Sequence, residues 1–472
     1  MNEPQQSIPE RLFRILRFLG KAIAGTEKEF TKGSIDRAIV LLSIPMILEM
    51  VMESLFAVVD LYFVGKLNVN ALATVALTES MIFLVFAVAI GLSMATTAMV
   101  ARRVGEKQPE EASKAAYQAM VLTFIVGVII SLVGLFFPKD LLRMMGASEE
   151  LVEYGYRYTQ ILLGGNLSIM FLFLINAIFR GAGDASIAMR TLWLANGLNI
   201  VLDPLLIFGF GSFEGFGVEG AAIATTIGRS IGVTFQLYVL FKGKGMVQMA
   251  VRHMRVDMEI VNRLFKISLG GMGQFLIGSA SWVFLVRIIS IFGSEALAGY
   301  QVSLRIIIFT ILPSWGMANA AATLVGQNLG AGLPDRAEKS VWRTAVFNMG
   351  FLGIVSVIFF TYAEFFVGIF TTEPAVMEVG IRALKIICLG YLFFAYGMVI
   401  SQSFNGAGDT RTPTIINFVA YWIIQIPLAY FLAVYLEMGP VGVFITICVT
   451  LTILALMAIY LFRQGKWKRV AI

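Results

Sequence analysis

Three carboxylates interrupt an otherwise apolar stretch: Glu49, Glu53 and Asp60, with Glu53 four residues and Asp60 eleven residues after the first. On an α-helix turning ~100° per residue they fall at about 0°, 40° and 20°, a single narrow stripe. An ionised side chain near the centre of a bilayer costs about 2.5–3.5 kcal/mol on insertion scales, so this stripe must face protein or water. Pro45 precedes it and predicts a bend near a binding site. A second set lies further on. Asn199 and Asp203 are one turn apart, and Pro204 removes the backbone hydrogen bond to the Ile200 carbonyl. A carboxylate, an amide and a loosened carbonyl on one face suit a proton carrier or a hard monovalent cation. Thr225 and Thr226 can add hydroxyl oxygens.

Other readings of these residues stay open. Asp203-Pro204 also fits a helix end or kink. Glu79, directly after Thr78, fits an interhelical hydrogen bond as well as a functional acid, and Glu49 fits the wall of an aqueous vestibule. Glu49 and Glu53 could form the acid and base of a membrane enzyme, but no nucleophile, histidine or metal cluster accompanies them. Arg287 and Arg305 read as structural, near a helix end and a packed interface.

The elements that must hold these groups are membrane helices. The 472 residues are 58% hydrophobic and 14% charged, with a mean hydropathy of +0.82. Soluble chains carry roughly 25% charged residues. Apolar stretches of spanning length recur near 36–64, 69–100, 112–137, 151–180, 185–211 and 217–241, then near 260–292, 295–328, 338–362, 376–404, 410–436 and 440–463. This predicts an all-α integral membrane protein with twelve transmembrane helices. The segments expected around them are a basic amphipathic N-terminal segment (1–33), a first half (34–241), a linker (242–259), a second half (260–463) and a basic tail (464–472). Within the first segment, residues 11–24 set four basic side chains against an apolar face, as in a helix lying on an anionic leaflet.

The chain repeats itself. Phe179-Arg180-Gly181-Ala182-Gly183-Asp184 returns 225 positions later as Phe404-Asn405-Gly406-Ala407-Gly408-Asp409. The same offset pairs Ser43 with Ser268, Gly105 with Gly330 and Pro109 with Pro334. In so apolar a protein, duplication points to a transporter built from two halves. The glycine-rich hexapeptides lack a Walker lysine and read as tight turns in which Asp184 and Asp409 cap the next helix. The halves differ in charge. Opposite Glu49, Glu53, Asp60 and Glu79 stand Gln274, Gly278, Leu285 and Leu304. Past Asp409 the register slips by two, so that Pro427 matches Pro204. Second-half intramembrane polar groups are mostly neutral, among them Gln274, Tyr300, Gln301, Gln402, Tyr421 and Gln425. They suit recognition by amides and aromatics rather than titration.

A net charge of +6 and pI of 9.2 do not form a nucleic-acid footprint, because the basic residues alternate from loop to loop. Arg102, Arg103, Lys107, Lys114, Arg180, Arg190, the linker and the tail carry one set; the opposite loops have few. This places both termini in the cytoplasm and the chain in the cytoplasmic (inner) membrane among lipids. Cys388 and Cys448 read as small apolar groups, and His253 as a solvated linker residue unable to build a metal site alone.

Several motifs resemble the multidrug and toxic compound extrusion (MATE) family: Val59-Asp60-x-x-Phe63-Val64-Gly65-Lys66-Leu67, both Phe-x-Gly-Ala-Gly-Asp turns, Val325-Gly326-Gln327-Asn328-x-Gly330-Ala331 and Asn199-x-x-x-Asp203-Pro204. The pattern is most similar to the DinF-like branch. The resemblance covers residues 34–463 and implies two pseudo-symmetric six-helix bundles around a central cleft. It also implies a monomeric antiporter that exports amphipathic, often cationic, organic compounds against inward flow of H⁺ or Na⁺, with no other cofactor. By resemblance the coupling-ion residues are Asp60, Asn199, Asp203 and Thr225. Glu49, Glu53 and Glu79, with Gln274, Tyr300, Gln301, Gln402, Tyr421 and Gln425, are then expected in the substrate cleft. The rival expectation is a flippase or exporter of lipid-linked precursors or of a dedicated metabolite, which calls for a basic cleft.

Overall fold

The computed structural model describes residues 17–25, 29–243 and 245–472. Among these residues no β-strand forms, and twelve helical spans follow one another. The first six are α1 (Ile35–Val64), α2 (Val69–Gly105), α3 (Pro109–Phe136), α4 (Glu149–Gly181), α5 (Ala185–Phe208) and α6 (Val218–Lys242). The second six are α7 (Met258–Ser290), α8 (Ser294–Gly330), α9 (Pro334–Thr361), α10 (Pro374–Ala407), α11 (Arg411–Tyr435) and α12 (Pro440–Arg463). Every expected stretch is a helix. α2 and α8 have 37 residues each, about 55 Å at 1.5 Å per residue, and so reach well beyond ~30 Å of hydrocarbon.

Local chemistry sets the starts. Ser34 and Asn68 cap α1 and α2, the Asn68 side chain accepting from Ala71 N–H at 2.8 Å. Proline opens α3, α9, α10 and α12, where its missing N–H is harmless. Asp409 meets its expected capping role, accepting from Thr412 N at 3.1 Å and Oγ1 at 2.6 Å. Asp184 holds the N-cap position of α5 without a capping hydrogen bond from its side chain.

The duplication is visible in the breaks. α4 is interrupted at Gly165 and α10 at Gly390, one repeat apart, and the two parts of α10 meet at 55°. The symmetry lapses at the fifth span. α5 stays α-helical through Pro204, whereas α11 widens into π-helix over Phe418–Gln425 and Phe431–Tyr435, around Pro427. Pro45 likewise leaves α1 one continuous helix.

The two bundles meet along α1, α2, α7 and α8. A Cβ on Gly105 would lie 2.0 Å from the Gln327 carbonyl oxygen, and one on Gly330 would lie 2.1 Å from that of Arg102. The two contacts are repeats of each other. A second such pair lies deeper, Gly91 against Met272 and Gly316 against Ile47. These approaches fall on the end that bears the basic loops, and they reach no further than about mid-depth. There the Phe83 and Phe275 rings meet in a tilted contact, 4.7 Å between centroids.

The linker differs from its sequence expectation. It is docked rather than solvated: Val247 and Met249 are buried in the first bundle, and Gln118 donates to Arg255 O at 2.7 Å. His253 is therefore not solvated. It is 4% exposed, with Nε2 2.6 Å from Glu110 and Nδ1 accepting from Ala250 N. The tail is docked too. Trp467 is fully buried against Phe462 at 4.5 Å, and Arg102 of the first bundle donates to Val470 O at 3.0 Å. Of the expected amphipathic segment, residues 17–24 are helical; residues 1–16 and 26–28 lie outside the described residues.

Candidate functional site

A cavity of about 270 Å³ lies between the bundles, above the packed basic end. Its walls are largely apolar and aromatic, with Phe83, Phe86 and Phe173 facing Phe275, Leu312 and Trp315. Such walls favour flat hydrophobic ligands of varied shape, which stack without fixed hydrogen-bond geometry. Polar groups enter at few points: Glu49, Glu53, Ser93, Thr97, Asn176 and Arg180 from the first bundle, and Asn319, Gln402 and Asn405 from the second.

The floor is an ion pair. Arg180 Nη1 donates to Glu49 Oε1 at 2.6 Å, with Glu49 1% exposed. Asn176 donates to the same oxygen at 3.1 Å, and Gln236 steadies Asn176 from α6 at 2.5 Å. Glu49 Oε2 has no hydrogen-bond partner. One turn along the stripe, Glu53 accepts from Asn196 at 3.0 Å. Arg180 corrects two expectations. It is not a loop residue, because α4 continues as helix through it, and it tempers the expected acidity of the cleft to two carboxylates against one guanidinium. Glu49 lines the cavity but is held through Oε1 by Arg180 and Asn176, so it is not a free half of an acid–base pair.

Further along α1 the expected ion-site residues converge. Asn199 Nδ2 donates to Asp203 Oδ1 at 3.2 Å and to Thr225 Oγ1 at 3.1 Å. Thr225 is buried, while Thr226 bonds back to Ala222 O in its own helix, so Thr225 is the threonine at the site. Asp203 is completely buried. Asp60 approaches from α1, close enough for its charge to act on Asp203. Three acceptors in this small volume have no donor: Asp60 Oδ1, Asn199 Oδ1 and Asp203 Oδ2. Two further residues belong here that the stripe analysis did not find. Tyr158 of α4 is 3% exposed and lies within the electrostatic reach of Asp60, Glu79, Arg229 and Asp203. Arg229 of α6 is 7% exposed, with its guanidinium 5.4 Å from the Phe56 ring. The signal for Arg229 was available, since it lies one turn after Thr225 in an apolar stretch.

The second-half expectations divide. Gln402 lines the cavity and accepts from Asn405 at 3.0 Å. Gln274 does not line it but lies directly behind, donating to Asn405 at 2.8 Å and to Thr410 O at 3.0 Å. Tyr300 is a core residue, 1% exposed and stacked on Phe444. It lies about 18 Å along α8 from the lining residue Leu312, at 1.5 Å per residue, so the cavity is too deep for it. Gln301, beside it, points outward and is exposed. Tyr421 is half-buried in the second bundle, and Gln425 is 2% exposed with Oε1 unpartnered; α11 sends no residue into the cavity. Glu79 is exposed one turn beyond Phe83, outside the cavity, and makes no interhelical hydrogen bond among the described residues.

Comparison with known proteins agrees with this arrangement. The MatE family model matches residues 45–205 and 272–431, one match in each bundle. The chain is 27% identical over 444 residues to a probable multidrug resistance protein NorM of Thermotoga maritima, covering 93% of this chain and 94% of that one. It is 24% identical over 445 residues to the multidrug export protein MepA of Staphylococcus aureus, covering 92% and 96%. A solved structure of a multidrug resistance MATE family transporter in an outward-facing conformation superposes with a TM-score of 0.89 at 29% identity, over 94% of this chain and 99% of that one. These relatives are transporters, not enzymes. Two pseudo-symmetric bundles of membrane helices, a cavity between them and a family match in each half have one explanation: this chain belongs to the MATE family of multi-pass membrane transporters.

Proposed function

We propose that the chain is a secondary active antiporter that exports amphipathic, cationic organic compounds in exchange for H⁺ or Na⁺. The observation that carries this reading is the trio of buried acceptors without a donor, Asp60 Oδ1, Asn199 Oδ1 and Asp203 Oδ2. Unpartnered buried carboxylate oxygens are costly, and a proton or a small hard cation removes that cost. Asp60, Asn199, Asp203 and Thr225 would supply its oxygens, in line with the DinF-like resemblance. The apolar cavity, with two carboxylates against one guanidinium, suits an aromatic body bearing positive charge.

Closure at the basic end corresponds to a state that loads the ion from the opposite side. Ion binding then has to weaken cargo binding, because exchange requires negative coupling between the two. The test is efflux of an organic cation from proteoliposomes with ΔpH and ΔNa⁺ imposed separately. One gradient is expected to drive efflux; no response to either would overturn the reading.

A further inference from the structure

The coupling site and the cavity are separate places. Glu53 lines the cavity, and Asp60 does not. They stand seven residues apart on the same face of α1, about 10 Å at 1.5 Å per residue. Between them on that face lies Phe56, 8% exposed, and over its ring sits the Arg229 guanidinium at 5.4 Å. Arg229 comes from α6, one turn beyond Thr225, which reaches Asp203 through Asn199. The carboxylates acting on it are Glu53 and Asp60, with Tyr158 the third group. Glu79 and Asp203 bear on the same cluster through Asp60. No hydrogen bond ties Arg229 to either carboxylate among the described contacts; it rests on an aromatic ring midway.

We infer that Arg229 is a counter-charge shared between the ion site and the cargo cavity, and that it transmits occupancy from one to the other. With Asp60 negative, the guanidinium is divided between two carboxylates, and Glu53 keeps charge to offer a cationic cargo. When an ion neutralises Asp60, Glu53 becomes the only strong partner left to Arg229. A buried guanidinium is costly without a balancing carboxylate charge, so it moves toward Glu53 and cancels the charge that held the cargo. The reverse follows by linkage: a cargo cation at Glu53 drives Arg229 toward Asp60 and disfavours the ion there. Ion and cargo then exclude each other without touching the same atoms. Arg229 is in this sense a positioning residue, and the inference rests on the exchange reading above.

A double-mutant cycle on the purified full chain tests it, with equilibrium binding of tetraphenylphosphonium as the readout. The variants are Asp60→Asn, Arg229→Met and both together; Arg229→Gln replaces Arg229→Met if the latter does not survive purification. Removing the Asp60 charge weakens cation binding directly in either background. The loss is expected to be about tenfold larger with Arg229 present than with Met in its place, since only contacting or shared-partner residues give so large an interaction. Arg229→Lys is expected to retain the excess loss. Equal losses in both backgrounds, or a lysine variant that behaves as methionine does, would overturn the inference. Efflux by the wild type is scored separately. No ion-driven efflux with the excess intact sinks antiport alone, efflux with additive losses sinks the Arg229 link alone, and no binding by any variant sinks both.

Discussion

Arg180 and Glu49 meet at 2.6 Å on the cavity floor, and one repeat later Asn405 and Gln274 meet in the same way, at 2.8 and 3.1 Å. The contact has been kept in both halves while its chemistry has changed, from a buried ion pair to a pair of amides. The motif residue that precedes Gly-Ala-Gly-Asp thus reaches the cavity from each side, charged in one half and neutral in the other.

Removing one member of the first pair leaves a buried charge unpaired. Arg180→Met or Glu49→Ala is expected to lower stability by about 3–5 kcal/mol. Grafting the second-half chemistry, Glu49→Gln with Arg180→Asn, should restore most of the loss, because amides satisfy one another without charge. Thermal unfolding in detergent measures this, and a double variant as labile as the single ones would count against the pairing.

Asp203→Asn keeps the shape of the side chain and its bond from Asn199 but deprives the site of its most buried charge. Ion-driven efflux should fall to the background of empty vesicles while insertion and size-exclusion behaviour stay normal. Full ion-driven efflux in this variant would contradict the proposed coupling site.

Gly105 and Gly330 permit the close approach at the basic end, and neither has room for a Cβ beside the carbonyl it faces. Gly105→Val should prevent that closure and reduce efflux by about tenfold or more, since it blocks one of the two states of a bistable interface. Labelling of a cysteine placed at Ala101, in a background lacking Cys388 and Cys448, should be faster in this variant. An unchanged labelling rate would show that the approach is not limiting.

Trp467 anchors the tail, fully buried, stacked on Phe462 at the end of α12 and donating from Nε1 to the Phe462 carbonyl at 2.9 Å. Trp467→Ala is expected to cost about 3–5 kcal/mol, as for other fully buried large side chains, and to expose the tail to protease. Limited proteolysis at residues 464–472 follows it, and equal resistance in both proteins would disprove the anchoring role.

Most of the architecture was legible because a membrane allows few solutions: apolar length, loop charge and the duplicated Gly-Ala-Gly-Asp turns point to twelve helices in two halves. The convergence of Asp60, Asn199, Asp203 and Thr225 was legible from intramembrane charge, helical spacing and family motifs. What escaped was the direction of side chains relative to depth. Arg180 looked cytoplasmic because its motif is a turn, yet the turn begins only after it, at Gly183, whose φ is +84°. Tyr300 and Gln301 looked like cleft residues because they are polar and intramembrane, but depth along α8 separates them from the cavity. His253 and the linker were misread because loop composition does not reveal docking, and Gln118, donating to Arg255 O and accepting from Asp257 N, supplies what the linker backbone would otherwise take from water.

The reciprocal contacts at the basic end have a consequence of their own. Gly105 on Gln327 and Gly330 on Arg102 are one contact made twice about a pseudo-two-fold axis, the hallmark of an isologous dimer interface. Each half therefore presents a surface that complements a copy of itself. The covalent tether then acts mainly by raising the concentration of one half near the other. The chain has the anatomy of a homodimer fused into a single polypeptide, in which specialisation was free to proceed away from the axis, at Asp60, Asp203 and Arg229.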